Sequence, residues 1–188
     1  MFKLQTLMPN QKIKLWTISG TVAIILLGTV LHYFYPWFGE NRILGAFVPV
    51  NESVWEHLKL GYWGLLLFSI PEFFQIKSKV NNYFAAKFLG ILVLEFSILG
   101  IFYTYTLFSQ GPILWIDISS FVVGTLLCQA LVFKLYLTQP LSPYFEWIAF
   151  FGFLGIGVLF AWFTYVPPQW PIFMDGNDFT YGIDKVAQ

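Results

Sequence analysis

The stretch PVNESVWEHLKLGYWGLLLFSIPEFFQI, residues 49–76, decides the fold because it joins a short charged segment to a long apolar one. Its first twelve residues include two carboxylates, a histidine and a lysine. The part from position 54 to position 76 is mostly apolar, and an apolar run of about 18 or more residues can span a bilayer. The stretch therefore predicts a membrane-spanning helix with a polar site at its start.

The rest of the chain repeats the apolar part of this pattern. Of the 188 residues, 57% are hydrophobic and the mean hydropathy is +0.68. Only 11% are charged, against about 25% in a typical soluble domain. Helices satisfy their own backbone hydrogen bonds in lipid. We therefore predict an all-α, polytopic bundle in a single domain, 1–188. Its five spans are expected at about 14–36, 54–76, 88–108, 113–136 and 144–166. A C-terminal tail on the outer side follows at 167–188.

The charges predict an orientation and exclude one class of partner. The formal net charge is zero, so the overall balance gives no reason to expect a nucleic-acid partner. An N-in, C-out arrangement places seven lysines on or near the cytoplasmic side and three basic residues outside, as the positive-inside rule requires. The seven are Lys3, Lys12, Lys14, Lys77, Lys79, Lys87 and Lys134; the three are Arg42, Lys59 and Lys185. The start of the chain is expected to be a retained first span.

Three polar residues lie at similar depths in different spans. His32, His57 and Asp117 each fall within roughly two helical turns of the predicted outer end of their span, at about 1.5 Å per residue. Each also lies on a helix stripe with small or polar residues, which suits contact with other helices rather than lipid. Imidazole and carboxylate groups bind zinc, iron and manganese. These three residues are therefore predicted to form a divalent metal site that opens to the outer face.

The carboxylates next to His57 have two readings. Glu52, Glu56 and His57 are candidate catalytic residues, with a carboxylate as general base and the imidazole as acid or metal ligand. Alternatively, Ser53 and Glu56 form a capping box, and the carboxylates favour the positive start of the helix. In this interpretation Glu56 and Lys59, three residues apart, make an ordinary interfacial ion pair. Capping does not explain His57.

Further candidates extend the polar site. Glu95 lies near the middle of the third span, where a carboxylate is costly and is usually functional or paired. The predicted ligand-binding residues are Asn51, Glu56, Lys59, Glu95 and Tyr181. A glycine-rich phosphate loop, a His-Glu-x-x-His motif, a CxxC pair and a G-x-S-x-G elbow are all absent from the sequence.

Two segments carry a family resemblance: VPVNESVWEHLKL at residues 48–60, and YVPP, PIFMD and YGI at residues 165–168, 171–175 and 181–183. They resemble the marks of an uncharacterised prokaryotic family of multi-pass membrane proteins, a domain of unknown function. His32, placed before the first outer loop, also fits. The resemblance implies a cell-membrane protein, in a prokaryotic plasma membrane, and singles out the first motif. It implies no reaction.

Three functions fit these features. The first is binding or transport of a metal ion, a proton or a small polar ligand in the outer pocket, with the tail as a lid. The second is an intramembrane hydrolase acting on a lipid or membrane-anchored substrate. The third is a non-catalytic subunit that docks a membrane protein partner. One constraint applies to the first two: Glu56 and His57 are adjacent, so they diverge by about 100° on a helix.

Overall fold

A computed structural model describes residues 9–109 and 111–186. This part of the chain is helical and contains no strand beyond two isolated bridges in the tail. The helices are α1 (Pro9–His32), α2 (Phe34–Trp37), α3 (Arg42–Gly45), α4 (Val54–Ile76), α5 (Tyr83–Thr106), α6 (Leu114–Leu137) and α7 (Pro143–Tyr165). Single 3-10 turns occur at Lys77–Lys79 and Pro171–Phe173. Lys3, and the last two residues of the predicted tail, lie outside the described residues.

Four of the described helices are long and apolar enough to cross a membrane: α1, α5, α6 and α7. The all-helical class predicted from the sequence is confirmed, and the four apolar helices support the predicted membrane character. The α4 helix has 23 residues, like α7, but it is not one of the four. It carries Glu56, Lys59 and Glu72, all of which are buried inside the bundle.

Two helices begin well before the predicted spans, for local reasons. The α1 helix begins at Pro9 and ends at His32. Tyr33 interrupts the helical path before the short α2 helix. The α5 helix begins at Tyr83, because Asn82 adopts a left-handed conformation (φ 53°) that separates the helix from the preceding linker. Glu146 accepts hydrogen bonds from the backbone amides of Phe84 and Ala85, at 3.1 and 3.0 Å. These bonds satisfy amides in the first turn of α5 that have no acceptor within the helix.

The α4 helix lies in the centre of the bundle, against α1, α5 and α7. Glycines allow the close approaches. A methyl group at Gly64 would stand 3.1 Å from the carbonyl oxygen of Ile24 in α1. Similarly, a methyl group at Gly124 of α6 would stand 3.0 Å from the carbonyl oxygen of Leu94 in α5. The small residues therefore face neighbouring helices, as expected for packing inside a membrane.

The long helices alternate in direction, so the bundle has two ends. One end, which we call the tail end, contains the starts of α4 and α6, the ends of α1, α5 and α7, and the C-terminal tail. The tail is held there by hydrogen bonds. The amide of Ile183 donates to the carbonyl of Thr164 at 2.9 Å, and Asp175 accepts from the amide of Glu52 at 3.0 Å. Arg42 and Asp184 add an exposed ion pair.

Candidate metal centre

The start of α4 is built by two short side chains. Asn51 Oδ1 accepts from the Ser53 amide at 3.0 Å, and Ser53 Oγ accepts from the Glu56 amide at 3.3 Å. The predicted N-cap at Ser53 is thus confirmed. The second half of the capping box is not formed, because the Glu56 carboxylate accepts from the Val50 amide at 3.0 Å instead. This turn fixes where the neighbouring side chains point.

His57 stands in the first turn of α4 with its two ring nitrogens in different roles. Nδ1 lies 2.9 Å from the Ser53 carbonyl oxygen, which can only accept, so we assign the proton to Nδ1. Nε2 points away from the helix and lies 3.4 Å from Oε2 of Glu52. In the neutral ring, Nε2 therefore keeps its lone pair, which is the state that binds a metal ion.

His32, the last residue of α1, completes the group. Its ring centroid lies 5.3 Å from that of His57, and the two rings are inclined by 35°. His32 Nδ1 is buried and has no hydrogen-bond partner among the described residues. His32, Glu52 and His57 each offer one ligand atom, and these atoms all lie within 4.8 Å of one another. We call these three residues the triad.

The triad fits a divalent transition-metal ion in donor type and spacing. Two imidazoles and one carboxylate form a set found around zinc and non-haem iron. Ligand atoms about 2 Å from a zinc ion lie roughly 3–4 Å from one another. Separations of up to 4.8 Å therefore need only a small closure. Glu52 can supply it, because its side chain is half exposed.

The charge on Glu52 suits a ligand role. When the His57 ring is protonated, Nε2 can donate to the Glu52 carboxylate, and this contact holds the pKa of that carboxyl below its usual value. A depressed pKa keeps Glu52 ionised at neutral pH. Once His57 has lost its Nε2 proton, a cation at this position would meet one full negative charge and two neutral imidazoles.

Asp117, the third ligand predicted from the sequence, is close to the triad but is not part of it. It lies in the first turn of α6 and is near enough to His57 to act on it electrostatically. Its Oδ1 accepts a 2.6 Å hydrogen bond from the Tyr105 hydroxyl of α5. Among the described residues, Glu52 takes the place that the sequence suggested for Asp117.

Glu56 and Lys59 face away from the triad, into a separate cluster. Their side chains are 2% and 0% exposed, and Lys59 Nζ donates to Oε2 of Glu56 at 2.6 Å. Lys59 also donates to the carbonyl oxygens of Gly45 and Val48, and it contacts the Thr164 hydroxyl of α7. The expected interfacial ion pair is therefore an interior one. We call Glu56, Lys59 and Thr164 the buried clamp.

Asn51 and Tyr181 are both predicted to bind a ligand. Asn51 contacts the tail, and Tyr181 lies within it. The Asn51 side-chain amide donates to the carbonyl of Gly182 at 3.4 Å. Tyr181 is buried and forms backbone bridges with Met174 and Val186. The Asn51 contact joins the tail to the start of α4, whereas the Tyr181 bridges lie within the tail. Ligand binding by either residue stays a prediction.

Glu95 lies inside the bundle, away from the triad and the clamp. Its side chain is 7% exposed, and neither carboxylate oxygen has a hydrogen-bond partner among the described residues. Lys87, the nearest cation along the sequence, is paired elsewhere.

That partner of Lys87 is Glu72, in the last turns of α4. The two form a buried ion pair near the end opposite the tail, and the hydroxyls of Tyr83 and Tyr136 lie 3.3 and 3.1 Å from Glu72 Oε2. A signal was available in the sequence. Glu72 and Lys87 are equally far from the centre of the α4–α5 linker, so an antiparallel hairpin brings them to the same level.

Comparisons with known proteins add a family and no function. Residues 5–183 match the model of DUF6512, a family of unknown function. The expected resemblance to a family of unknown function is confirmed to that extent. Neither the curated proteins nor the solved structures give a match.

Proposed function

We propose that this chain, which belongs to the DUF6512 family of unknown function, is a multi-pass membrane protein that binds a divalent metal ion at its tail end. His32, Glu52 and His57 supply the ligands. The observation that carries the proposal is the convergence of three ligand atoms within 4.8 Å from three different segments. These segments are the end of α1, the loop before α4 and the first turn of α4.

The hydrogen bonding around the triad supports this role. Histidines that bind metals usually donate their second ring nitrogen to a carbonyl or carboxylate, which fixes the tautomer. His57 has this arrangement, with Nδ1 on the Ser53 carbonyl. The side chains of the buried clamp at the same end of the bundle are paired with one another. The triad keeps an unpaired nitrogen, so its best account is a site for an added ion.

A topology goes with the proposal. We propose that α4 is a fifth span, since it has the length of its neighbours and packs among them. The tail end then faces outward, in a prokaryotic plasma membrane. The distribution of lysines supports this orientation by the positive-inside rule. Five described lysines lie toward the opposite end and outside its buried ion pair: Lys12, Lys14, Lys77, Lys79 and Lys134.

The test is metal content after purification in detergent. Wild-type protein loaded with zinc and then desalted is expected to retain about one ion per chain. His32→Ala, His57→Ala and Glu52→Gln are expected to lose it. Glu40→Gln is the matched control, because Glu40 is an exposed carboxylate of the same loop region. Equal zinc in wild type and in both histidine variants, with all proteins folded, would reject the site.

A catalytic use of the same ion is the second candidate. Three protein ligands leave a fourth position for water, as in catalytic zinc sites. Asp117 is a second carboxylate near His57 that could take a proton from that water. Such an enzyme would be a hydrolase acting on a lipid or membrane-anchored substrate. Zinc-dependent hydrolysis of a lipid ester, lost in Asp117→Asn while zinc is retained, would favour this candidate.

A further inference from the structure

Glu95 is a buried residue of α5 that packs against α4. A methyl group added at Gly61 would stand 3.4 Å from Glu95 Oε1, so the carboxyl group packs on Gly61. Gly61 is four residues after His57, which is one helical turn, or about 6 Å along the axis. The Glu95 carboxyl therefore packs one helical turn deeper along α4 than His57. Unlike the carboxylates of Glu56 and Asp117, it has no hydrogen-bond partner among the described residues.

The two buried lysines among the described residues are each paired with a carboxylate other than Glu95. Lys59 of α4 pairs with Glu56, and Lys87 of α5 itself pairs with Glu72. From α6, the titratable group that interacts with Glu95 is Cys128. The charged residues of α1 and α7 lie near the opposite end: Lys12, Lys14 and Glu146. His32 lies at the tail end, in the triad.

Another buried polar side chain of the bundle is neutral. Gln129 of α6 is buried, and neither atom of its side-chain amide has a hydrogen-bond partner among the described residues. An ionised carboxylate in such surroundings carries a large desolvation cost, and buried acids avoid that cost by keeping their proton. Glu95 in the metal-free protein is then a neutral carboxylic acid.

We propose that Glu95 is a proton-binding site inside the membrane bundle, and that it releases its proton when a divalent cation occupies the triad. The inference rests on the proposed metal centre. The step is a simple exchange: the cation enters, the O–H bond of the Glu95 carboxyl breaks, and the proton leaves to solvent while the carboxylate remains. The field of the ion favours the negative carboxylate across the low-dielectric interior. The chain would thereby link divalent cation binding to proton release.

Calorimetric titration with zinc tests the coupling. Wild-type protein and Glu95→Gln are titrated in two buffers with different heats of protonation, which gives the protons released per zinc ion. Glutamine has the shape and charge of the protonated acid, so the variant is expected to fold. We expect it to release about one proton fewer and to bind zinc roughly tenfold more weakly near neutral pH. Glu40→Gln is expected to match wild type in both measurements.

Equal proton release and equal affinity in wild type and Glu95→Gln would overturn the coupling. A second measurement examines Glu95 without metal. Infrared spectra of the metal-free protein are expected to contain the carbonyl stretch of a protonated carboxyl near neutral pH, and this band should be missing in Glu95→Gln. Its absence from wild type would overturn the proton site. If neither protein binds zinc but the band is present, the metal centre and the coupling fail while the proton site at Glu95 stands.

Discussion

Two polar groups at the tail end share the first turns of α4 and differ in almost every other respect. In the buried clamp, Glu56 and Lys59 are paired with each other and with the Thr164 hydroxyl, out of contact with water. In the triad, His32, Glu52 and His57 are partly or largely exposed, and ligand atoms converge without being fully paired. A polar group whose partners are all within the protein holds helices together. A group with partners missing is available to a ligand.

The divergence begins with adjacent residues. Glu56 and His57 project about 100° apart on the helix, so one turns toward α7 and the other toward α1. Thr164 of α7 receives the first, and His32 of α1 receives the second. The comparison predicts that changes in the clamp affect stability and that changes in the triad affect metal binding.

The largest effect is expected from Lys59→Ala. This change leaves the Glu56 carboxylate buried without its cation, and breaking a buried ion pair on one side costs about 3–5 kcal/mol. Unfolding of the detergent-solubilised protein by heat measures the loss. Lys134→Met is the control, since Lys134 is exposed on α6 and should leave the midpoint nearly unchanged. A midpoint for Lys59→Ala equal to that of the control would remove the distinction between the two groups.

The opposite pattern is expected from His57→Ala. Zinc affinity should fall by at least about a hundredfold, because even residues that only support a ligand are worth 10–100-fold. The midpoint of unfolding without metal should change little, since the side chain is partly exposed. Calorimetric titration and thermal unfolding give the two values. Wild-type zinc affinity in this variant would mean that the histidines are packing residues.

A smaller loss of stability is expected from Thr164→Val. The change keeps the volume of the side chain and removes its hydroxyl, which leaves Glu56 Oε1 without that donor. Leaving one buried polar group unpaired costs about 1–3 kcal/mol. Thr29→Val is the matched control, because its hydroxyl is exposed on α1 and bonds only to its own helix. A Thr164→Val protein no less stable than this control would show that the clamp tolerates an open position.

The smallest effect is expected at the exposed pair of Arg42 and Asp184, which joins the α3 region to the tail. Arg42 holds the pKa of the Asp184 carboxyl below its usual value. The stabilisation is therefore fully present above the pKa that Asp184 has in the unfolded chain. It is lost as pH falls through the lower pKa that Asp184 has in the folded protein. Asp184→Asn should lower the unfolding midpoint slightly at neutral pH and not at all in strong acid. In an Arg42→Gln background the same change should have no effect, and a residual effect would point to another partner.

The sequence predicts the bundle well because its signals are local. Apolar run length gives the helices, and Ser53 marks the start of α4. The meeting of His32 and His57 also follows from simple depth counting, because antiparallel helices joined by a loop bring their facing ends to one level. The third member differs from the prediction, because the structure brings Glu52 rather than Asp117 to the two histidines. Glu52 precedes the helix, so the direction of its side chain depends on the Asn51–Ser53 turn rather than on helical periodicity.

Burial was harder to predict than position. The Glu56–Lys59 spacing indicates an ion pair, but its enclosure depends on Thr164 of α7, which approaches from more than 100 residues away in the sequence. Glu95 shows the reverse case. Its cost in mid-span is plain from the sequence, whereas its isolation follows only once Lys87 is seen to pair with Glu72.

The central claim is that the triad binds a divalent metal ion, and X-ray absorption at the zinc edge tests it most directly. Purified protein loaded with one zinc equivalent is expected to show a first shell of nitrogen and oxygen atoms at about 2.0–2.2 Å, with the outer-shell scattering of two imidazole rings. His32→Ala should reduce that scattering to one ring. A spectrum without imidazole scattering, or one unchanged in the variant, would contradict the account.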